Sequence, residues 1–167
     1  MRSTLNVVLK TVLVVAFGGP GVWAGDAAAP GVPLGPLQNT VRTVACQVGV
    51  PPDFALAVIE HESKFNNAMR GLHGEIGASQ ILPATAAKLG FDPERLGREF
   101  AYNARAGVTI LKMLLKRSAG DRRAASCCYR AGPGWTKLPV QKQSQILSYA
   151  RAIERLQHNY SGLDCSP

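Results

Sequence analysis

Two glutamates lie close together in the segment DFALAVIEHESKFN, residues 53–66, and helical spacing gives them different surroundings. At 100° per residue, Glu62 falls about 40° from Val58 inside the apolar arc, whereas Glu60 falls on the opposite face. There Glu60 can pair with Lys64 at i,i+4 spacing. A carboxyl group in an apolar wall is destabilised as an anion, which raises its pKa and keeps a proton available near neutral pH. Glu62 is therefore a candidate general acid of the kind that glycosidic bond cleavage needs; the alternative is a buried glutamate paired with an arginine or with backbone amides.

The elements that must position Glu62 are helices. Apolar positions recur at helical spacing between glycines and prolines, and no convincing run alternates as a strand would. We therefore expect a compact, mainly α domain of seven helical pieces with little or no sheet. Their expected starts are Leu37, Asp53 as an N-cap, Pro83, Asp92-Pro93, Asn103, the cap Asp121, and a segment before Ile146.

A glycine-punctuated segment, RGLHGEIGASQI at residues 70–81, follows the second helix. Its glycines permit backbone turns that other residues resist. Glu75 lies in this segment, thirteen residues after Glu62. It is a possible second carboxylate that could activate a water molecule, but the preferred interpretation is an exposed loop glutamate, because such loops commonly carry solvated charges.

Three motifs occur in a characteristic order: HESKFN at 61–66, GEIGASQILPATAAKLGF at 74–91 and CCYRAGPG at 127–134. In order and spacing they resemble the signatures of the lytic transglycosylases, the soluble-lytic-transglycosylase-like branch of the lysozyme fold. The resemblance extends over roughly residues 37–160. It implies a compact helical domain similar to those of goose-type lysozymes and lytic transglycosylases.

The resemblance also implies a set of site residues. The catalytic glutamate of the family precedes a serine, and this pair falls on Glu62 and Ser63. The resemblance implies that three further residues line a glycan groove with Ser63: Gln80, Tyr129 and Tyr149. For the two tyrosines, the alternative is a role in helix packing.

Two positions depart from the family pattern where the cleft is expected. Ser79 stands in place of the usual methionine, and Arg130 stands in place of an asparagine. The first change is expected to alter how the glycine-rich segment packs into the cleft. The second change replaces the asparagine that makes a polar contact in the family, so Arg130 is not expected to make the same contact.

By resemblance, the reaction is cleavage of the β-1,4 bond between N-acetylmuramic acid and N-acetylglucosamine in peptidoglycan. One carboxylate suffices: Glu62 protonates the bridging oxygen, the muramyl N-acetyl group assists, and Glu62 then takes a proton from the sugar's primary hydroxyl as a 1,6-anhydro ring closes. No cofactor is implied. Two alternatives remain open: a hydrolytic muramidase that uses Glu75, and a non-catalytic glycan-binding module, suggested by Ser79 and Arg130.

The N-terminal part of the sequence indicates export. Residues 1–24 have early basic residues, a short apolar run and a small-residue end, which is the layout of a signal peptide. The run is shorter than the roughly 20 residues that cross a bilayer, so no stable membrane anchor is expected. We predict a flexible Ala-, Gly- and Pro-rich leader at 25–36, a catalytic domain at 37–160 and a tail at 161–167, in a periplasmic or secreted protein.

The charge balance bears on the partner. The formal charge is +8, and loss of the signal peptide removes two basic residues. A basic exported protein suits an anionic polymer such as the cell wall, whereas no nucleic-acid motif accompanies the basic residues. By family analogy, the small domain could open local gaps for an envelope-spanning secretion, conjugation or pilus machine.

Four cysteines in an exported chain predict disulfide bonds rather than a metal site, since no CxxC spacing occurs. Neighbouring residues of a helix point about 100° apart, so Cys127 and Cys128 cannot pair with each other. We therefore expect Cys46 and Cys165 each to bond one member of that pair, in either order.

Overall fold

The computed structural model describes residues 33–165, and that range folds into seven α-helices without a regular strand. The bounds are α1 Pro36–Val48, α2 Pro52–Ser63, α3 Pro83–Lys88, α4 Pro93–Leu96, α5 Phe100–Arg117, α6 Arg122–Ala131 and α7 Val140–His158, with a 3₁₀ turn at Trp135–Lys137. Isolated bridges pair Ile76 with Arg70 and with Ile81. The predicted mainly α architecture is confirmed. The predicted signal peptide and most of the predicted leader lie outside the described residues.

The helix starts follow from prolines and aspartates. Proline occupies the first turn of α1 to α4, where its missing N–H costs no hydrogen bond. Asp121 caps α6 as predicted, and the predicted start at Asp92-Pro93 is confirmed, with Asp92 as the cap of α4. The prediction for Asp53 was wrong: Pro51 is the N-cap of α2, and the Asp53 carboxylate instead lies 2.7 Å from the Arg122 guanidinium.

Helix α2 runs through the main core. Every residue from Phe54 to Ile59 is fully buried, and α2 packs against α1, α5 and α7. A helix that is apolar on all sides is stable only inside a protein. Apart from Asp53 in the first turn, the polar residues of α2 gather in its last turn, which therefore emerges from the core at a fixed position.

Asn103 fixes the glycine-rich segment to the helices. Its side chain is fully buried on α5. The Oδ1 atom accepts a hydrogen bond from Ser79 N at 2.7 Å, and Nδ2 donates to Ile76 O and Leu96 O at 2.9 and 3.1 Å. Gly77 has φ +78°, and a Cβ atom there would collide with this amide. The sequence predicted Asn103 only as the start of a helix.

The disulfide differs from the predicted pairing. Cys46 bonds Cys165, while Cys127 and Cys128 are free thiols. The prediction failed because the end of the chain returns to α1, where Arg42 Nε donates to the Asp164 carbonyl at 3.0 Å. Cys127 instead packs in the apolar cluster between α6 and α7. An intramolecular disulfide is confirmed.

The Asn103 contacts predict a large stability effect. Asn103→Ala leaves the Ser79 N–H buried without its partner, which costs about 1–3 kcal/mol, and it removes one of two donors from Ile76 O and from Leu96 O, which keep Ile81 N and Asn67 Nδ2. We expect the free energy of unfolding to fall by about 2 kcal/mol or more in urea denaturation followed by circular dichroism. Asn39→Ala is the matched control, because the Asn39 amide is exposed and binds only Leu34 O; its expected effect is below about 1 kcal/mol. Equal losses in the two variants would contradict the role of Asn103.

Candidate active site

Glu62 lies in the last turn of α2, immediately before a sharp reversal of the chain. Lys64 and Phe65 both have left-handed backbone conformations, with φ of 54° and 62°. Such conformations are uncommon for residues other than glycine. Burial of the Phe65 ring anchors the reversal. The turn leaves Glu62 half-buried at the edge of the core, where a ligand can reach its carboxylate.

The closest partner of Glu62 is Tyr149 on α7. The Tyr149 hydroxyl donates to Glu62 Oε1 at 2.6 Å. Burial, and next the negative charge of Glu62, raise the pKa of Tyr149 well above its ordinary value. The phenol therefore stays protonated at neutral pH and serves as a fixed donor to the carboxylate. The sequence left Tyr149 undecided between groove and packing, and the structure places its hydroxyl directly on Glu62.

Glu60 has the other orientation, as the helical wheel predicted. Lys64 Nζ lies 3.6 Å from Glu60 Oε1, which is the expected i,i+4 pair. The structure adds a contact that the sequence did not indicate: the Tyr160 hydroxyl donates to Glu60 Oε2 at 2.8 Å. Glu60 therefore fastens the end of the chain to α2 and is not simply a solvated charge.

Ser63 links α2 to the glycine-rich segment. Its Oγ donates to Ala78 O at 2.7 Å, and the residue is buried. This hydrogen bond brings residues 77–81 alongside the last turn of α2. The structure thus gives Ser63 an internal contact instead of a place on an open groove surface.

Tyr129 and Ser79 form a second internal link. The Tyr129 hydroxyl donates to Ser79 O at 2.7 Å, and both residues are buried. Burial first, and then the charge of Glu62, raise the pKa of Tyr129 well above its ordinary value. The Ser79 side chain points into α5, where a Cβ atom on Gly107 would collide with its Oγ. The expectation that Ser79 is a cleft position is therefore wrong, because this close approach turns its side chain into the protein.

Gln80 shapes the turn that it belongs to. Its backbone is left-handed, with φ 46°, and its Nε2 donates to Gly77 O at 2.8 Å. A weaker contact runs from the same nitrogen to Met69 O at 3.4 Å. With 6% of its surface exposed, Gln80 holds the segment together more than it faces outward.

Glu75 is buried, so the preferred interpretation as an exposed loop glutamate is wrong. Only 5% of its surface is exposed. Gly71 N donates to the backbone carbonyl of Glu75 at 2.9 Å, and this bond closes the loop of residues 71–75. There Oε2 accepts from His73 N at 3.0 Å, and a Cβ atom on Gly71 would collide with it. The Glu75 carboxylate therefore stabilises its own loop.

Two further residues surround Tyr149. The His61 ring meets it edge-on, with centroids 4.7 Å apart, and the Arg130 Cζ lies 5.5 Å from its centroid. In the sequence, Arg130 stands out only as a substitution for asparagine, and no pattern there indicates a role for His61. These contacts join α2, α6 and α7, and no local spacing indicates which residues of distant helices meet.

Within residues 33–165, no three side chains among His, Cys, Asp and Glu come together as potential metal ligands. Over the same residues, no helix is both long and apolar enough to span a bilayer. The arrangement offers the half-buried carboxylate of Glu62, whose Oε1 accepts a hydrogen bond from a neutral phenol. A group of this kind can donate and then accept a proton.

Comparison with known proteins agrees with this arrangement. The model of the transglycosylase SLT domain matches residues 39–151. The 70 kDa soluble lytic transglycosylase of Escherichia coli superposes with a TM-score of 0.63 at 19% identity, over 73% of this chain and 23% of that one. An inactive mutant of the lytic transglycosylase Slt from Pseudomonas aeruginosa gives 0.57 at 22% identity, over 73% of this chain and 22% of that one.

The chain thus spans less than a quarter of the length of either solved relative. The structural match confirms the lysozyme-like helical fold, and the family match covers most of the described residues. The chain belongs to the transglycosylase SLT domain family.

Proposed function

We propose that this protein is a peptidoglycan lytic transglycosylase that cleaves the β-1,4 bond between N-acetylmuramic acid and N-acetylglucosamine. The observation that carries the proposal is the half-buried Glu62 with the Tyr149 hydroxyl 2.6 Å from its Oε1. Family membership supports it, and so do the solved relatives, which are named as lytic transglycosylases.

Glu62 acts first as the acid. Tyr149 occupies Oε1, so the proton is held on Oε2 and passes to the bridging oxygen as the glycosidic C–O bond breaks. The N-acetyl group of the muramyl sugar assists departure of the leaving sugar.

Glu62 then acts as the base. It takes the proton of the muramyl primary hydroxyl, whose oxygen forms the new bond to the anomeric carbon and closes the 1,6-anhydro ring. The carboxyl group returns to its protonated state, so neither water nor a cofactor is consumed. Tyr149 remains neutral throughout, because burial and the Glu62 charge hold its pKa high.

Ser63, Gln80 and Tyr129 support this chemistry from inside the protein. Each is nearly buried, and each hydrogen bonds to the backbone of residues 77–79. We propose that they position this segment as a wall opposite Glu62. This role differs from the groove-lining role that the family resemblance implied.

The site of action follows from the substrate. We propose that the protein is exported by its N-terminal signal peptide and acts on the cell wall in the periplasm or outside the cell. By family analogy, we propose that the protein opens local gaps in the cell wall for an envelope-spanning secretion, conjugation or pilus machine. Unchanged secretion, transfer and piliation in a deletion strain would argue against that role.

Removal of the Glu62 carboxylate should abolish activity. Incubation of purified sacculi with the protein should release muropeptides with 1,6-anhydro ends, as mass spectrometry can show. Glu62→Gln should lower the release rate by at least about 100-fold, since general acid–base groups contribute about 10²–10⁴-fold. Glu60→Gln, on the same helix, should retain activity because Glu60 binds Lys64 and Tyr160 outside the site.

Three outcomes would contradict the proposal. Release that survives Glu62→Gln excludes Glu62 as the acid. Binding to sacculi without any release by the wild-type protein supports a glycan-binding module. If the wild-type protein releases muropeptides with reducing ends and Glu75→Gln does not, the protein is a muramidase in which Glu75 activates water.

The Tyr149 hydroxyl should matter for rate more than for folding. Tyr149→Phe removes the donor to Glu62, and a hydrogen bond to a charged group is worth about 1.5–3 kcal/mol, or roughly 10- to 100-fold in rate. We expect a loss in this range in muropeptide release. Tyr160→Phe is the matched control, because it removes the same kind of bond from Glu60. A similar rate loss in both variants would show that the effect is not specific to Glu62.

A further inference from the structure

Arg130 lies at the end of α6 beside the candidate active site. It is half-buried, and its Cζ is 5.5 Å from the centroid of the Tyr149 ring. The same ring carries the hydroxyl that binds Glu62. These two contacts together place the guanidinium within about 11 Å of the Glu62 carboxylate.

The charge of Arg130 is not balanced by an acidic side chain of the described chain. Other arginines have such partners: Arg122 pairs with Asp53, Arg123 with Glu154, and Arg95 with Glu99. Across residues 33–165, no carboxylate comes within ion-pair distance of Arg130. A half-buried cation of this kind is free to pair with an anionic ligand.

A second cation strengthens the positive field at this edge of the site. Burial lowers the pKa of His61, and the charges of Arg130, Lys64 and Arg155 lower it further, against the opposing effect of Glu62. Lys64 already pairs with Glu60, whereas within the described residues Arg155, like Arg130, has no ion pair. Two arginines without an acidic partner among the described residues, Arg130 and Arg155, therefore act on His61, and Arg130 is the one that contacts Tyr149.

The proposed substrate offers an anion of suitable chemistry. Muramic acid differs from glucosamine by a lactyl ether. The lactyl carboxyl is free where no peptide is attached, and where a peptide is linked to it as an amide, the peptide carries the free carboxylates. Arginine binds carboxylates with two parallel N–H···O bonds, and stacking on an aromatic ring restricts the guanidinium plane. The Tyr149 ring can hold Arg130 in this way.

We propose that Arg130 is a specificity-determining residue that binds a carboxylate of the acidic substituent on muramic acid. This inference rests on the proposed function, since it assigns the recognition of that substrate. Arg130 stands where the family has an asparagine. The contact at the cleft edge is then made by a charged guanidinium, which donates to the substituent, instead of by a neutral amide.

Binding to a matched pair of glycan fragments tests this inference. The probes are a peptidoglycan fragment with its peptide carboxylates intact and the same fragment with those carboxylates amidated. Calorimetry in a Glu62→Gln background measures affinity without turnover. We expect the intact fragment to bind at least about 10-fold more tightly than the amidated one, as for hydrogen bonds to charged groups.

Variants of Arg130 identify the residue responsible. Adding Arg130→Asn should remove the preference for the intact fragment and leave affinity for the amidated one unchanged. Arg130→Lys should keep part of the preference, because it retains the charge without the planar pair of donors. Arg117→Asn is the matched control: it removes the same charge from the end of α5, whereas Arg130 lies near the far end of α6, about 12 Å along that helix from its first residue, Arg122.

The outcomes separate this proposal from the proposed function. A preference that persists in Arg130→Asn, an equal loss of both affinities, or no binding of either fragment overturns the role of Arg130. Muropeptide release by the wild-type protein is measured independently. Muropeptide release without an Arg130-dependent preference for the intact fragment supports the proposed function and overturns the role of Arg130. That preference without muropeptide release supports the Arg130 binding site and contradicts the proposed function.

Discussion

Burial of α2 on all sides is the constraint on which the rest of the structure depends. The apolar run Phe54–Ile59 can be satisfied only when α1, α5 and α7 surround it. Once they do, the polar end of α2 must emerge at one place, and Tyr149 on α7 meets Glu62 there. The position of the carboxylate thus follows from hydrophobic packing, and its orientation follows from a single hydrogen bond.

The segment of residues 77–81, alongside the last turn of α2, is held by polar contacts in addition to the buried side chains of Ala78 and Ile81. Asn103, Ser63 and Tyr129 reach it from three different helices and bind its backbone. Backbone groups in an irregular segment need such partners when water is excluded. Residues that look like a substrate-binding set in the sequence can therefore act by fixing the loop against which substrate would lie.

Sequence patterns predicted the features that depend on local spacing. The starts of α3 and α4 at prolines, the Asp121 cap of α6 and the different faces of Glu60 and Glu62 all follow from residues a few positions apart. Contacts between distant segments were not predictable in this way. Burial of Glu75, the Tyr149 hydroxyl on Glu62 and the Cys46–Cys165 bond depend on how turns and helices meet in three dimensions.

The Cys46–Cys165 bond has a consequence for oxidative folding. The two cysteines are 119 residues apart, so Cys46 emerges from synthesis with Cys127 and Cys128 before its native partner exists. In the folded chain, burial first, and then the neighbouring Cys128, raise the pKa of Cys127 to about 11, which leaves almost no thiolate at neutral pH. Because the thiolate is the attacking species in disulfide exchange, packing of α6 against α7 protects the correct bond from rearrangement.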